Sequence, residues 1–94
     1  MKIIWSPEAV EDIGEAIDYL ADRNTDAAIK LATGILSRIE QLASEPHDGP
    51  EHVLANGERL RGWPHPPFRI YYQRTTDAFL VVRIFHQRRA PITR

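Results

Sequence analysis

Apolar residues recur every three to four positions through Val10, Ile13, Ile17 and Leu20, while Glu8, Glu11, Asp12, Glu15, Asp18 and Asp22 fall on the other side. That spacing predicts a helix with one buried stripe and a solvated acidic face. Ahead of it, Ile3, Ile4 and Trp5 form a β-prone run, and Ser6-Pro7 reads as an N-cap followed by a first-turn proline. A strand therefore passes directly into the helix. Asn24 and Thr25 interrupt the pattern and offer capping oxygens. Ala28, Leu31, Ala32, Ile35, Leu36, Ile39 and Leu42 then make a second buried stripe. The two predicted helices form a hairpin, closed by Pro46, Gly49 and Pro50, because proline cannot donate into a continuing helix.

From Glu58 the period changes to two. Arg59 and Arg61 flank Leu60, which predicts a short strand with its arginines on one face. The segment between His52 and Leu60 carries no clear pattern. Trp63 to Pro67, reading WPHPP, suits a turn or an edge connection better than a central strand. Phe68 to Arg74 and Phe79 to Gln87 follow as two strands of a hairpin, with Thr75, Thr76 and Asp77 at the turn. Strict alternation sets Phe68, Ile70 and Tyr72 against Arg69, Tyr71 and Gln73, and Leu80, Val82 and Ile84 against Val81, Arg83 and Phe85. The aliphatic set is expected to face the helices. Arg59, Arg61, Arg69 and Arg83 then share the opposite face, bordered by Tyr71 and Phe85. The expectation is an α+β fold: an N-terminal strand, a two-helix hairpin, then a three-stranded antiparallel segment forming a small sheet.

Ninety-four residues, 43% of them hydrophobic, suffice for one compact core, so residues 1–94 are read as a single domain. The formal net charge of -1 conceals a strong division. Residues 1–58 hold four Lys+Arg against twelve Asp+Glu, whereas residues 59–94 hold eight Arg and a single Asp. An all-arginine second half suggests a basic surface built by the late strands, suited to an acidic partner or nucleic acid. The absence of cysteine excludes disulfides, thiolate nucleophiles and Cys-based metal sites. No apolar run approaches a membrane span or a signal-peptide core, which fits a cytoplasmic protein with no membrane association.

His47, His52, His65 and His86 show no metal-binding spacing, and neither a nucleophile elbow nor a glycine-rich phosphate loop is present, so no metal or cofactor is expected. The arginines carry the chemical potential, because guanidinium groups bind phosphates and carboxylates bidentately at any physiological pH. Trp63 and Phe85 fit a core position as well as a binding surface.

The order WSPEAVEDI, LASEP, RLRG, FRIYYQ and VVRIFHQRRAP resembles the RelE/ParE superfamily of toxins from bacterial type II toxin-antitoxin modules, across essentially the whole chain. The RIYY and IFHQRR segments carry most of that resemblance. Within the superfamily, one branch cleaves messenger RNA on the ribosome and another poisons DNA gyrase. By motif position, Arg59, Arg61, Arg69 and Arg88 stand where the nucleases carry basic residues, with His86 as the acid-base candidate. The tyrosine expected after Arg88 is missing, and HQRRAP looks more like the ParE branch. The resemblance thus implies a non-catalytic gyrase inhibitor, with a ribosome-dependent endoribonuclease as the alternative. It also implies neutralisation by a cognate antitoxin of the ribbon-helix-helix, ParD-like type, through which the complex binds operator DNA. Target contacts are expected from Arg59, Arg61, Trp63, Arg69 and Tyr71 on the earlier strands. Arg83, Phe85, His86, Arg88 and Arg89 complete the expected set.

Overall fold

The computed structural model describes residues 1–90 and 92, so Pro91 of the closing motif lies outside the described residues. The chain runs β1 (Lys2–Trp5), α1 (Pro7–Ala21), α2 (Thr25–Ser44), β2 (Glu51–Val53), β3 (Arg59–His65), β4 (Phe68–Arg74) and β5 (Ala78–His86). Both helices begin where capping chemistry puts them. Ser6 Oγ accepts from the Ala9 N–H at 3.0 Å and Asn24 Oδ1 accepts from the Ala27 N–H at 3.0 Å, each satisfying a first-turn donor that has no helical partner. Pro7 occupies the first helical turn, where its missing N–H costs nothing.

The strands form one sheet in the order β1-β5-β4-β3-β2. β1 runs parallel to β5 and every other pair is antiparallel. A parallel pair needs a long crossover, and the helical hairpin lies within it. The hairpin covers one face of the sheet: Ala9, Leu31, Ile35, Ile39 and Leu42 pack against Ile70, Tyr72, Phe79, Val81 and Ile84. A smaller cluster of Leu54, Leu60, Tyr71, Val82, Phe85 and Ile92 occupies the other, outer face.

The α+β class and the hairpin agree with the sequence reading, but the antiparallel segment has four strands rather than three, β2 being the addition. β2 is three residues long and pairs only with residues 59–61 of β3, too short to leave a periodic signature. The WPHPP segment also differs, since β3 continues through Trp63, Pro64 and His65 before turning at Pro66-Pro67. Pro64 is tolerated because the Gly62 N–H, two residues earlier on the same side, already points away from β4 to Pro50 O at 3.0 Å. Pro64 nitrogen therefore faces the edge left open where β2 stops.

Two expected core residues are outside. Val10 is 54% exposed, because the stripe α1 buries runs through Ala9, Ile13, Ala16 and Leu20, one position from the one that Val10 marks; Leu36 is 47% exposed because α2 buries Leu31, Ile35, Ile39 and Leu42 and turns its neighbour outward. A bulge overturns the strict alternation in β5. Pairing passes from Tyr71 opposite Arg83 to Tyr72 opposite Val81, so Val82 has no cross-strand counterpart. Phe79, Val81 and Ile84 consequently face the helices while Val82 and Phe85 face outward.

Candidate target-binding face

The β3–β4 register and the bulge in β5 together decide which arginines share a surface. Residues directly opposite in an antiparallel pair point to the same side. Arg61 lies opposite Tyr72 of the helix-side core, and Leu60 belongs to the outer cluster, so Arg59 and Arg61 project on the helix side of the sheet. There they share one carboxylate, Glu51, at 3.6 Å each, and Arg61 also donates to Gly49 O at 3.3 Å. Trp63 packs against the helix-side core. The expected face of Arg59, Arg61, Arg69 and Arg83 is therefore divided between the two sides of the sheet.

The outer face gathers Arg69, Tyr71, Arg83, Phe85 and Arg89. Tyr71 and Phe85 meet edge to face at 5.5 Å, and His52, which the sequence reading left without a role, meets Tyr71 in the same way at 5.4 Å. Arg69 donates to the Tyr71 hydroxyl at 3.4 Å. The guanidinium groups of Arg83 and Arg89 lie 4.7 and 4.0 Å from the centre of the Phe85 ring, within range of cation–π attraction. Both aromatic rings are buried, so the arginines rather than the rings meet solvent.

Arg83 is held from the side. β1 pairs with β5 only as far as Val81, and α1 lies along the strand edge beyond it. Ser6 Oγ donates to Val82 O at 2.6 Å, and Asp12 accepts from the Ile84 N–H at 2.9 Å, so α1 satisfies backbone groups that a neighbouring strand would otherwise take. The same carboxylate receives the Arg83 guanidinium in a bidentate fork, at 2.8 and 2.9 Å. This bonding holds the Arg83 pKa above the ordinary arginine value, against the opposing effect of burial. Asp12 is thus not part of a solvated stripe; its side chain is only 9% exposed. Helical periodicity carried no sign of a partner 71 residues away.

His86 stands apart from this face. It lies opposite Phe68, which packs toward the helices, and the two rings meet at 5.4 Å. Its Nδ1 accepts from the Arg88 N–H at 3.1 Å. Arg69 and His86, both in the nuclease-type set, therefore project from opposite faces, and Arg59 and Arg61 sit toward the far end of β3 from it. His86 instead borders a groove of about 350 Å³ between α1 and the β4–β5 end, floored by Ala16, Leu20, Phe68 and Ile84 and rimmed by Glu15, Tyr19 and Arg89.

A strand, a helical hairpin and a bulged arginine-rich sheet define a recognisable layout, and the family model for the ParE toxin of type II toxin-antitoxin systems (parDE) matches residues 3–91. The chain belongs to the ParE toxin family. It is accordingly a ParE-like toxin of a type II toxin-antitoxin system. No curated protein matches the chain. Among solved structures it is similar to one described as the chromosomal ParDE TA system from P. aeruginosa, at 16% identity and a TM-score of 0.76, over 92% of this chain and 95% of that one. At that identity the likeness concerns the fold. Among the described residues of this ParE-family chain, no helix is long and apolar enough to cross a membrane.

Proposed function

We propose that this ParE-family toxin inhibits DNA gyrase by binding it through the outer sheet face, without chemistry of its own. The observation that carries the reading is the distribution of the arginines. Arg69, Arg83 and Arg89 converge on Tyr71 and Phe85, whereas the residues a ribonuclease needs are scattered. A ribonuclease must activate a 2′-hydroxyl and protonate a leaving oxygen, which requires a titratable pair near the bound phosphate. Arginine stays charged throughout and supplies neither proton transfer. His86, the late titratable candidate, lies across the sheet from Arg69. Arginine-rimmed aromatic positions are instead the usual anchors of protein interfaces.

The solved relative is described as a ParDE system, which supports a cognate antitoxin for this chain; the reading proposed is a ribbon-helix-helix antitoxin that holds the toxin silent in the cytoplasm and carries the complex to operator DNA. The groove beside α1 supports an antitoxin site, since its apolar floor and mixed-charge rim suit an amphipathic segment that folds on binding. Val10 and Tyr19 leave further apolar surface exposed on α1, as do Ile29 and Leu36 on α2.

The deciding experiment sets purified toxin against gyrase and against translating ribosomes. Inhibited supercoiling with accumulating cleaved DNA, and intact ribosome-bound message, is the expected result. Codon-positioned message cleavage that vanishes in His86→Ala, with supercoiling unaffected, overturns it in favour of an endoribonuclease.

A further inference from the structure

Beyond Val81, where β1 stops, the edge of β5 is closed only in part. The Gln87 N–H donates to Pro67 O, just ahead of β4, at 2.8 Å, whereas the Ile84 N–H turns the other way, to Asp12 at 2.9 Å. Backbone direction alternates along a strand, so the Ile84 C=O and the His86 N–H also point away from β4, toward α1. Ile84 and His86 both line the groove there. The neighbouring backbone groups are taken: Val82 O by the Ser6 hydroxyl, the Ile84 N–H by Asp12, and His86 O by the Arg89 N–H. Among the described residues, neither the Ile84 C=O nor the His86 N–H has a hydrogen-bond partner, although Ile84 is only 3% exposed. An unpaired acceptor on a buried residue is costly, and pairing it rewards whatever enters the groove.

We propose that this groove takes an extended segment of a partner protein as a short strand parallel to β5, in line with β1, and that the segment reads apolar-acidic-apolar. The direction follows from the groups left open. An antiparallel neighbour exchanges both its bonds with a single residue, and neither Ile84 nor His86 has both groups free. In a parallel pair, one residue donates to a carbonyl and accepts from the N–H two residues further on, which is the pair that is open. Lys2 sits in this way opposite Ala78, its N–H bonded to Asp77 O at 3.3 Å. The bridging residue of the partner therefore lies opposite Phe85 and projects, like Phe85, on the outer side. There the Arg89 guanidinium rests 4.0 Å from the centre of the Phe85 ring, and Arg83 is committed to Asp12, so Arg89 is the group that selects an Asp or Glu. The residues on either side project over Ala16, Leu20, Phe68 and Ile84 and are apolar. A helix in the same groove keeps its own backbone bonds and leaves the Ile84 C=O unanswered, which decides for strand addition. The proposal rests on the reading of the groove as a protein-binding site and states how its occupant binds.

Acetyl-Lys-Ile-Asp-Ile-Lys-amide titrated into the full chain by NMR is expected to shift Leu20, Phe68, Ile84 and His86 and to slow exchange of the His86 amide. Methylating the aspartate nitrogen removes the donor to Ile84 O and is expected to weaken binding roughly tenfold, the weight of one hydrogen bond. Methylating the nitrogen of the second isoleucine, which points away from β5, is expected to change little. Exchanging the aspartate for lysine should abolish binding to the parent, and Arg89→Glu should restore it. Equal binding of the two methylated peptides, tighter binding of a helix-stapled form, or protection of the His86 amide by dimerisation of the chain alone overturns the proposal. Ala16→Arg, or Tyr19→Asp should the first fail to fold, obstructs the groove and separates this proposal from the antitoxin reading. Lost capture of the adjoining gene's product, with equal binding of the methylated peptides, overturns the strand and keeps the antitoxin site. Unchanged capture, with unequal peptides, supports the strand and removes the antitoxin from the groove.

Discussion

Asp12 and Arg83, 71 residues apart, are joined by a bidentate ion pair at 2.8 and 2.9 Å whose carboxylate also accepts the Ile84 N–H. The pair sits where β1 ends and α1 takes over as the neighbour of β5, so it fastens the helix to the strand edge and positions Arg83 beside Phe85.

Asp12→Ala leaves a half-buried guanidinium and a backbone donor without their acceptor, and is expected to cost about 2–4 kcal/mol. Arg83→Ala, which leaves Asp12 its bond to Ile84, is expected to cost less. A double-mutant cycle by urea denaturation should return a coupling of about 1–3 kcal/mol. Strictly additive losses would mean that Asp12 acts on the backbone alone.

Arg74 closes the carboxyl end of α2. Its guanidinium donates to Leu42 O at 2.8 Å and Ala43 O at 3.4 Å, and pairs with Asp48 at 2.9 Å. A cation donating to the last carbonyls of a helix satisfies acceptors that have no helical partner and opposes the helix dipole. Arg74→Ala is expected to lower stability by about 1–3 kcal/mol, with amide exchange quickening first in the last turn of α2. Exchange that rises uniformly over the molecule would argue against a local cap.

His65 should give the fold an acid sensitivity. Its ring lies against α2, with Nε2 3.1 Å from where a Cβ on Gly34 would stand, and burial, then the nearby Arg38 charge, lower its pKa from 6.5. The folded state therefore binds a proton less readily than the unfolded chain. This contribution to stability is complete above pH 6.5 and is lost as pH falls from there through the lower folded value. His65→Gln is expected to flatten that part of the melting-temperature profile between pH 7.5 and 5, and an unchanged slope would exclude His65 as the source.

The arginines that face solvent should matter to toxicity more than to folding, because exposed charges contribute little to stability while interfaces depend on them. Arg69→Ala and Arg89→Ala are expected to keep the circular dichroism spectrum and to lose less than about 1 kcal/mol of stability, yet to relieve growth arrest. Arg59→Ala, on the helix side, is expected to leave toxicity nearly intact. Equal toxicity in all three variants would make the outer face merely solubilising.

What the sequence determined by itself is local. Ser6-Pro7 and Asn24 start helices by bonds to residues three positions away, and Ala28, Leu31, Ile35, Ile39 and Leu42 mark a buried stripe by their own spacing, so capping and periodicity placed both helices. The RIYY and HQRRAP segments likewise carried the family. Only the tertiary structure decided the faces. Strand sidedness has a period of two, so the single residue inserted at Val82 reverses everything beyond it, and Leu60 turned outward carries Arg59 and Arg61 to the helix side. Asp12 reads as one more solvated acid until β1 stops short at Val81 and leaves it facing Arg83 and the Ile84 N–H. Which charge is paired and which remains free to meet a target depends on where strands end and how they register, and those are properties of the assembled sheet.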